Sequence, residues 1–246
     1  MTLPSYYITT PIYYVNDVPH IGHAYTTLAC DVMARFKRLD GYNVLFLTGT
    51  DEHGQKVEIA AGKHGLAPQV FTDQVSQNFR DLLPALDISN DDFIRTTEQR
   101  HKVSAQKMWQ KLFDNGHIYR DKYSGWYSVR DEAYFTENEL IDGKAPTGAP
   151  VSWVEEESYF FDLSKWQDKL LEFYKDNPNF IAPKSRLNEV ISFVKSGLRD
   201  LSISRTSFKW GIEVPGDTDH IMYVWLDALT NYLLSLIHIS EPTRLG

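Results

Sequence analysis

Two histidines at a three-residue spacing open a helical pattern directly after a strand-like segment. His20 and His23 follow the β-branched and aromatic run 6–14, and residues three apart share one face of a helix. The first turn of a helix has unpaired N–H groups and a partial positive charge, which attract phosphate. Two imidazoles there can donate hydrogen bonds to phosphate oxygens, and Gly22 leaves room for a flat ring against the backbone. The pattern predicts phosphate chemistry, although a surface pair or two metal ligands would have the same spacing.

A carboxylate and a third histidine end the second strand-like run. Residues 43–50 are almost continuously apolar, which is typical of a parallel strand covered on both faces, and Asp51 and His53 follow them. Ligands of open parallel sheets bind beyond the carboxyl ends of the strands. We therefore expect Asp51 and His53 to face the same crevice as the paired histidines. Asp51 could instead only cap the next helix.

The elements that must position these residues alternate between strands and helices. Strands are predicted at 6–14, 43–50 and 92–96, and helices at 20–38, 55–64, 68–86 and 98–115. This alternation predicts an α/β fold with a doubly wound parallel sheet of the Rossmann type. The apolar residues of the first helix recur every three or four positions and predict its buried face; they are Leu28, Val32, Phe36 and Leu39.

After Gly116 the sequence changes to short aromatic segments separated by turns. Antiparallel hairpins are predicted from 118–120, 125–130 and 133–136, a loop at 142–150, amphipathic helices at 164–174 and 186–199, and a returning buried strand at 219–225. Trp225, Ala228, Leu229 and Tyr232 then recur at helical intervals. Periodicity alone indicates a core stripe.

Composition bounds the possible functions. The 246 residues are 42% hydrophobic and 24% charged, which is enough for a large core with an insertion. We expect neither a membrane span nor a targeting segment, and the single cysteine, Cys30, indicates a reducing compartment, so the cytoplasm is predicted. The net charge of -8 does not favour DNA or a membrane as partner, and RNA would need a local basic surface.

Several ordered blocks of the sequence resemble methionyl-tRNA synthetases, which are class I aminoacyl-tRNA synthetases. Residues 11–16 with His20-Ile21-Gly22-His23 are similar to the class I signature, and Thr48-Gly49-Thr50-Asp51-Glu52-His53-Gly54 narrows the match. The resemblance continues through 153–161, 198–205 and 223–228. It covers the chain from about Tyr6 to Tyr232.

The resemblance implies a domain organisation and an activity. Residues 1–115 would form the first half of a Rossmann catalytic domain, 116–218 an α+β connective insertion, and 219–233 the start of the second half. The implied reaction is ATP-dependent attachment of methionine to tRNA through methionyl-adenylate, with Mg²⁺ neutralising pyrophosphate.

The same resemblance implies roles for individual residues. Thr10, His20 and His23 would act on the phosphates, with Pro11 and Gly22 joining His23 in binding ATP. Asp51 would hold the substrate ammonium. The methionine side chain would be enclosed by Ile12, Tyr14, Trp225, Ala228, Leu229 and Tyr232.

The insertion departs from a pattern that many members share. Ser128 and Asp131 stand where a first Cys-x-x-Cys pair would lie, and the second pair, expected near 143–150, is absent. A structural zinc site needs about four Cys or His ligands. No zinc is therefore predicted, as in the zinc-free subgroup.

The last residues also depart from the family. Residues 234–246 resemble the translation of a DNA-library adapter, so we expect a non-native tail there, without the family's second phosphate-binding loop and anticodon domain. The chain alone is therefore expected to be inactive.

Two other functions remain compatible with the motifs. One is a small-molecule nucleotidyltransferase of the same superfamily, against which the insertion argues. The other is a non-catalytic module that binds a nucleotide or tRNA.

Overall fold

The computed structural model describes residues 3–131 and 133–240, without the side chains of residue 123 and residues 235–240. The strands are β1 (Ser5–Thr9), β2 (Tyr13–Tyr14), β3 (Asn43–Asp51), β4 (Asp92–Arg95), β5 (Ile118–Ser128), β6 (Ala133–Phe135), β7 (Ser152–Phe161), β8 (Leu201–Ser202), β9 (Ser204–Arg205), β10 (Glu213–Val214) and β11 (Asp217–Met222). The helices are α1 (Ile21–Leu39), α2 (Gln55–Lys63), α3 (Pro68–Ala85), α4 (Gln99–Asp114), α5 (Gln167–Asp176), α6 (Lys184–Lys195) and α7 (Trp225–Ser240).

A parallel sheet centred on β3 holds the predicted site residues. β1 and β2 pair with one side of β3 and β4 with the other, because Leu47 and Thr50 each pair on both sides. The predicted strand 6–14 is interrupted between β1 and β2, where Pro11 has no N–H to donate. The α/β class with a parallel, Rossmann-type sheet is confirmed.

The prediction for the buried face of α1 is wrong. Its inner face instead carries Thr27 and Asp31, since Thr27 shares a hydrogen bond with Tyr13 (2.8 Å) and Asp31 accepts one from the backbone of Ser89 (2.7 Å). Polar groups therefore fix this helix to its neighbours. The opposite side, called here the outer face of α1, is exposed and apolar; it comprises Ile21, Tyr25, Leu28, Val32, Phe36 and Leu39.

The segment after Gly116 is antiparallel, as its sequence predicts, but its pairing is more extensive. β5 is one continuous strand that pairs with β7 from Ile118–Phe161 to Tyr127–Ser152. Because the two strands are about 30 residues apart in the sequence, no short stretch of the sequence indicates that they pair. β11 overlaps the predicted returning strand 219–225, and it pairs antiparallel with β9 and β10. The domain limits 116–218 and 219–233 remain predictions.

The predicted non-native tail, 234–246, is described in part. Residues 241–246 are outside the described residues, and α7 continues to Ser240. In the ranges that are described, no helix is long and apolar enough to cross a membrane.

Candidate active site

His20 and His23 form a reciprocal cap at the start of α1. The Nδ1 atom of His20 accepts a hydrogen bond from the backbone of Gly22, and Nδ1 of His23 accepts one from the backbone of His20, both at 3.1 Å. The two rings stack with their centroids 3.8 Å apart. Because each Nδ1 is an acceptor, each neutral imidazole carries its proton on Nε2. The site therefore presents two N–H donors of defined tautomer.

The environment of His23 favours this neutral form. Its ring lies 4.7 Å from the ring of Tyr13 and 5.2 Å from that of Phe79. Burial first, and then the charge of His20, lowers the pKa of His23 below its ordinary value. Burial raises the pKa of Tyr13, so this neighbour is an uncharged phenol at neutral pH. The pair can donate hydrogen bonds to phosphate without itself being protonated.

Gly22 is required by the ring of His20. A Cβ atom at this position would lie 2.9 Å from Cε1 and 3.1 Å from Nδ1 of His20. The sequence predicted that a flat ligand ring would lie against Gly22, but the ring that lies there is His20. Two backbone amides of the first turn are also occupied by the imidazoles, so they are not the free phosphate donors that the sequence suggested.

Thr10 lies at the junction of β1 and β3 and is completely buried. Its hydroxyl shares a 2.8 Å hydrogen bond with the hydroxyl of Thr48, and its backbone N–H donates to the carbonyl of Leu47. In this conformation the hydroxyl of Thr10 is not available for the predicted phosphate contact. It instead ties together the two strands that end at the site, while Pro11 beside it is exposed.

Asp51 ends β3 beside Tyr14, its partner in the parallel register. Asp51 lines a small cavity of about 10 Å³, which is closed by His53, Gly54, Phe208, residues 222–224 and Asp227. Tyr14 is half-buried against the cluster of α2 and α3, with the amine of Lys56 5.8 Å from its ring. The carboxylate is thus at the expected edge of the sheet, in a confined position.

Glu52 is separated from Asp51 although it is next to it in sequence. Its fully buried carboxylate accepts two hydrogen bonds from Arg95, at 2.7 and 2.8 Å, and others from Thr50 and Thr97. Every oxygen of this carboxylate is therefore engaged in holding β3 to β4. Only Asp51 is a candidate for contact with a substrate.

The predicted methionine-binding residues are not joined in one cavity. Trp225 and Leu229 are half-exposed and line an apolar cleft of about 280 Å³ between α7, α4 and the β7 region. Ala228 and Tyr232 are partly buried on the same helix. Ile12 packs instead with Leu47, Ile94 and Leu234. The cavity of Asp51 includes none of the predicted α7 residues.

A buried acid that the sequence analysis did not assign lies in that turn. Asp227 accepts hydrogen bonds from Nδ1 of His53 at 2.6 Å and from Nε2 of His101 at 2.7 Å. His53 is therefore turned into the protein. The prediction that it faces the crevice of the paired histidines is wrong. An acid in the first turn of a largely apolar helix was the signal that could have identified this cluster.

Trp210 and Arg205 flank the same region and were also not assigned. The indole of Trp210 donates to the carbonyl of Glu52 at 2.5 Å, and its own carbonyl accepts from Gly54 at 3.0 Å. The guanidinium of Arg205 lies 3.8 Å over the ring of Tyr223. The first contact holds the loop after β3, and the second holds the segment that leads into α7.

Polar side chains hold the turn where zinc ligands would stand in many relatives. Asp131 accepts hydrogen bonds from Ser128 at 2.9 Å and from Thr147 at 2.6 Å. The bond from Thr147, partly opposed by burial, lowers the pKa of Asp131. Across the described parts of the chain, no cluster of three or more His, Cys, Asp or Glu side chains could hold a metal ion.

Comparison with known proteins identifies the family. The model of the family described as tRNA synthetases class I (M) matches residues 6–151 and 138–244. The chain belongs to this family. The membership that the motifs predicted is therefore confirmed.

Relatives of this family member share most of its sequence. The methionine--tRNA ligase of Rickettsia conorii is 68% identical over 241 residues, which are 98% of this chain and 47% of that protein. That of Rhizobium meliloti is 58% identical over 97% of this chain and 47% of its own length. The chain thus spans about half the length of the curated relatives it matches.

Solved structures of the family agree in fold. The Mycobacterium tuberculosis methionyl-tRNA synthetase bound by methionyl-adenylate is 54% identical and superposes with a TM-score of 0.91, covering 98% of this chain and 49% of that chain. The free state of the Mycobacterium tuberculosis enzyme gives a TM-score of 0.80 at 50% identity, over 99% of this chain and 47% of that one.

Proposed function

We propose that the protein attaches methionine to tRNA after activating it with ATP as methionyl-adenylate. The observation that carries this proposal is the similarity, over nearly the whole chain, to a methionyl-tRNA synthetase bound by methionyl-adenylate. The capped imidazole pair of α1 supports it, since two N–H donors beside a parallel sheet suit phosphate oxygens.

In the first step, a carboxylate oxygen of methionine forms a bond to the α-phosphorus of ATP. The bond from that phosphorus to the bridging oxygen breaks, and pyrophosphate leaves with the electron pair. His20 and His23 donate their Nε2–H groups to the phosphate oxygens on which charge increases. Pro11 and Gly22 border the nucleotide. Mg²⁺ would be held chiefly by the phosphates of ATP and would neutralise charge on the leaving pyrophosphate.

The amino acid is held by an acid and an apolar face. Asp51 pairs as a carboxylate with the α-ammonium group. Ile12 and Tyr14 contribute one side of the methionine site. The opposite side is the face of α7 formed by Trp225, Ala228, Leu229 and Tyr232, which suits a soft thioether. Thr10 does not contact the substrate; its buried hydrogen bond to Thr48 holds the ends of β1 and β3 in position.

In the second step, a hydroxyl of the terminal ribose of tRNA forms a bond to the carbonyl carbon of the adenylate. The bond from that carbon to the phosphate oxygen breaks, and AMP leaves with the electron pair while the hydroxyl proton passes to a phosphate oxygen. No covalent enzyme intermediate forms, so positioning and charge stabilisation supply the catalysis. The cytoplasm is the proposed location of both steps.

Two assays test the proposal. Calorimetry with the 246-residue chain should detect binding of a methionyl-sulfamoyl analogue of methionyl-adenylate, and weaker binding of the leucyl analogue. His20→Ala should weaken the binding of ATP alone, and Asp51→Ala that of methionine alone. In the protein produced from the complete gene, methionine should drive exchange of labelled pyrophosphate into ATP. Exchange driven better by leucine or valine would contradict the specificity, and no nucleotide binding would contradict the function.

A further inference from the structure

Asp227 links three separate elements through one buried carboxylate. Only 2% of the residue is exposed, and its two oxygens accept hydrogen bonds from His53, at 2.6 Å, and from His101, at 2.7 Å. His53 belongs to the loop after β3, His101 to α4 and Asp227 to the first turn of α7. We call this cluster the Asp227 clamp.

The protons of the clamp follow from its geometry. Burial alone would raise the pKa of the Asp227 carboxyl, but the two imidazoles, His53 foremost, lower it far below its ordinary value. The carboxylate can therefore only accept, so His53 donates from Nδ1 and His101 from Nε2. The second nitrogen of each ring is buried without a hydrogen-bond partner in the described structure. Asp227 is thus the hydrogen-bond partner that orients both rings among the described residues.

The clamp also fixes the rotation of α7 about its axis. Successive residues of a helix are about 100° apart. Relative to Asp227, the four residues predicted to contact methionine are therefore about 100–160° away around the helix; they are Trp225, Ala228, Leu229 and Tyr232. Holding Asp227 inward turns their common face away from the β3 loop. Val224, directly before α7, has a φ of 27°, a strained value for a β-branched residue, which needs such support from its surroundings.

The same clamp borders the position of Asp51. His53 and Asp227 both line the small cavity that Asp51 also lines. The distance and angle between the ammonium-binding acid and the apolar face of α7 therefore depend on the bonds of Asp227 to the β3 loop and to α4.

We propose that Asp227 is a positioning residue for methionine, which sets the apolar face of α7 in register with Asp51 through His53 and His101. This inference rests on the proposed function, because it concerns the amino-acid half of that site. The nucleotide half, at His20 and His23, has its own support in the cap of α1 and does not depend on the clamp.

The test separates the two halves of the site in the 246-residue chain. Asp227→Asn keeps the shape but replaces one acceptor by a donor, which opposes an imidazole N–H. Calorimetry should show methionine binding weakened about tenfold or more, with ATP binding changed less than about twofold. Asp176→Asn, at an exposed position of α5, is the matched control and should leave both unchanged.

A second pair of variants distinguishes positioning from folding. The amide nitrogen of Gln can occupy the place of a histidine Nε2–H, so His101→Gln should retain most of the methionine affinity, whereas His101→Ala should lose it. Nitrogen-15 NMR of the unmodified chain should show His53 protonated on Nδ1 and His101 on Nε2. Parallel loss of methionine and ATP binding, equal behaviour of Gln and Ala at residue 101, or an effect of Asp227→Asn no greater than that of the control would overturn the proposal. If the unmodified chain bound ATP but no methionine, both this proposal and the proposed function would be wrong.

Discussion

The imidazole rings of His20 and His23 stack 3.8 Å apart, and each caps a backbone N–H of the turn they share. This arrangement makes the two rings a single unit whose structure depends on both Nδ1 atoms remaining unprotonated. In each ring Nδ1 caps the helix, so the proposed contact with phosphate falls to Nε2.

The first prediction concerns pH. Because burial and the charge of His20 lower the pKa of His23 in the folded protein, the unfolded chain takes up this proton first as the pH falls. The contribution of neutral His23 to the free energy of unfolding should be complete above the ordinary histidine pKa of about 6.5. It should decline as the pH falls below that value. Denaturant unfolding at several pH values should show a weaker pH dependence for His23→Gln than for the unmodified chain. An equal dependence of the free energy of unfolding on pH in the two proteins would contradict this. The buried His220, whose pKa is also lowered, contributes equally to both proteins.

The second prediction concerns Gly22. In Gly22→Ala the new Cβ would collide with the ring of His20, which would have to leave its capping position. We expect a loss of about 0.5–2 kcal/mol in the free energy of unfolding, as for other lost helix caps. Gly62→Ala is the matched control, since no atom lies within 4 Å of its Cβ. It should stabilise α2 by about 0.5–1 kcal/mol. Similar effects of the two changes would show that the contact with His20 is unimportant.

The third prediction separates the imidazoles from the acid. Removing one preorganised donor to a reacting phosphate should lower the rate by about 10²–10³. His23→Ala should therefore reduce pyrophosphate exchange by this factor in the protein produced from the complete gene, with little change in methionine affinity. Titration of methionine by calorimetry supplies the second measurement. A large loss of methionine affinity with an unchanged exchange rate would reverse the assigned roles.

The fourth prediction concerns the turn around Asp131. Its carboxylate is held by Thr147 and Ser128, and its pKa is lowered, so the stabilisation should persist at neutral pH and be lost only as the pH falls below the ordinary aspartate range of about 4. Asp131→Ala should lower the melting temperature, whereas EDTA should not. A melting temperature that EDTA lowers would instead indicate a bound metal. Glu137→Ala, at an exposed position nearby, is a suitable control.

The elements near the site could be predicted because their signals are local. The limits of α1, α2, α3 and α4 differ from those observed by one residue at most, since capping residues, glycines and periodicity mark helix ends. The placement of Asp51 at the end of β3 followed from the same kind of local pattern.

Tertiary contacts explain what could not be predicted. Nothing near Asp31 in the sequence indicates that Ser89 will bond it, and this contact turns the apolar side of α1 outward. The carboxylates of Asp51 and Glu52 look alike in sequence, and only the distant Arg95 separates their roles. The Asp227 clamp likewise joins residues more than 100 positions apart.

The outer face of α1 has a consequence for the behaviour of the chain in bulk solution. Ile21, Tyr25, Val32, Phe36 and Leu39 are each more than half exposed along one helix of 19 residues, which is about 28 Å long. Contiguous apolar surface of this kind favours self-association, and sulfate salts strengthen it. The purified chain should therefore scatter more light than a monodisperse monomer as its concentration rises, and ammonium sulfate should precipitate it at lower amounts than a variant carrying Val32→Lys and Phe36→Glu.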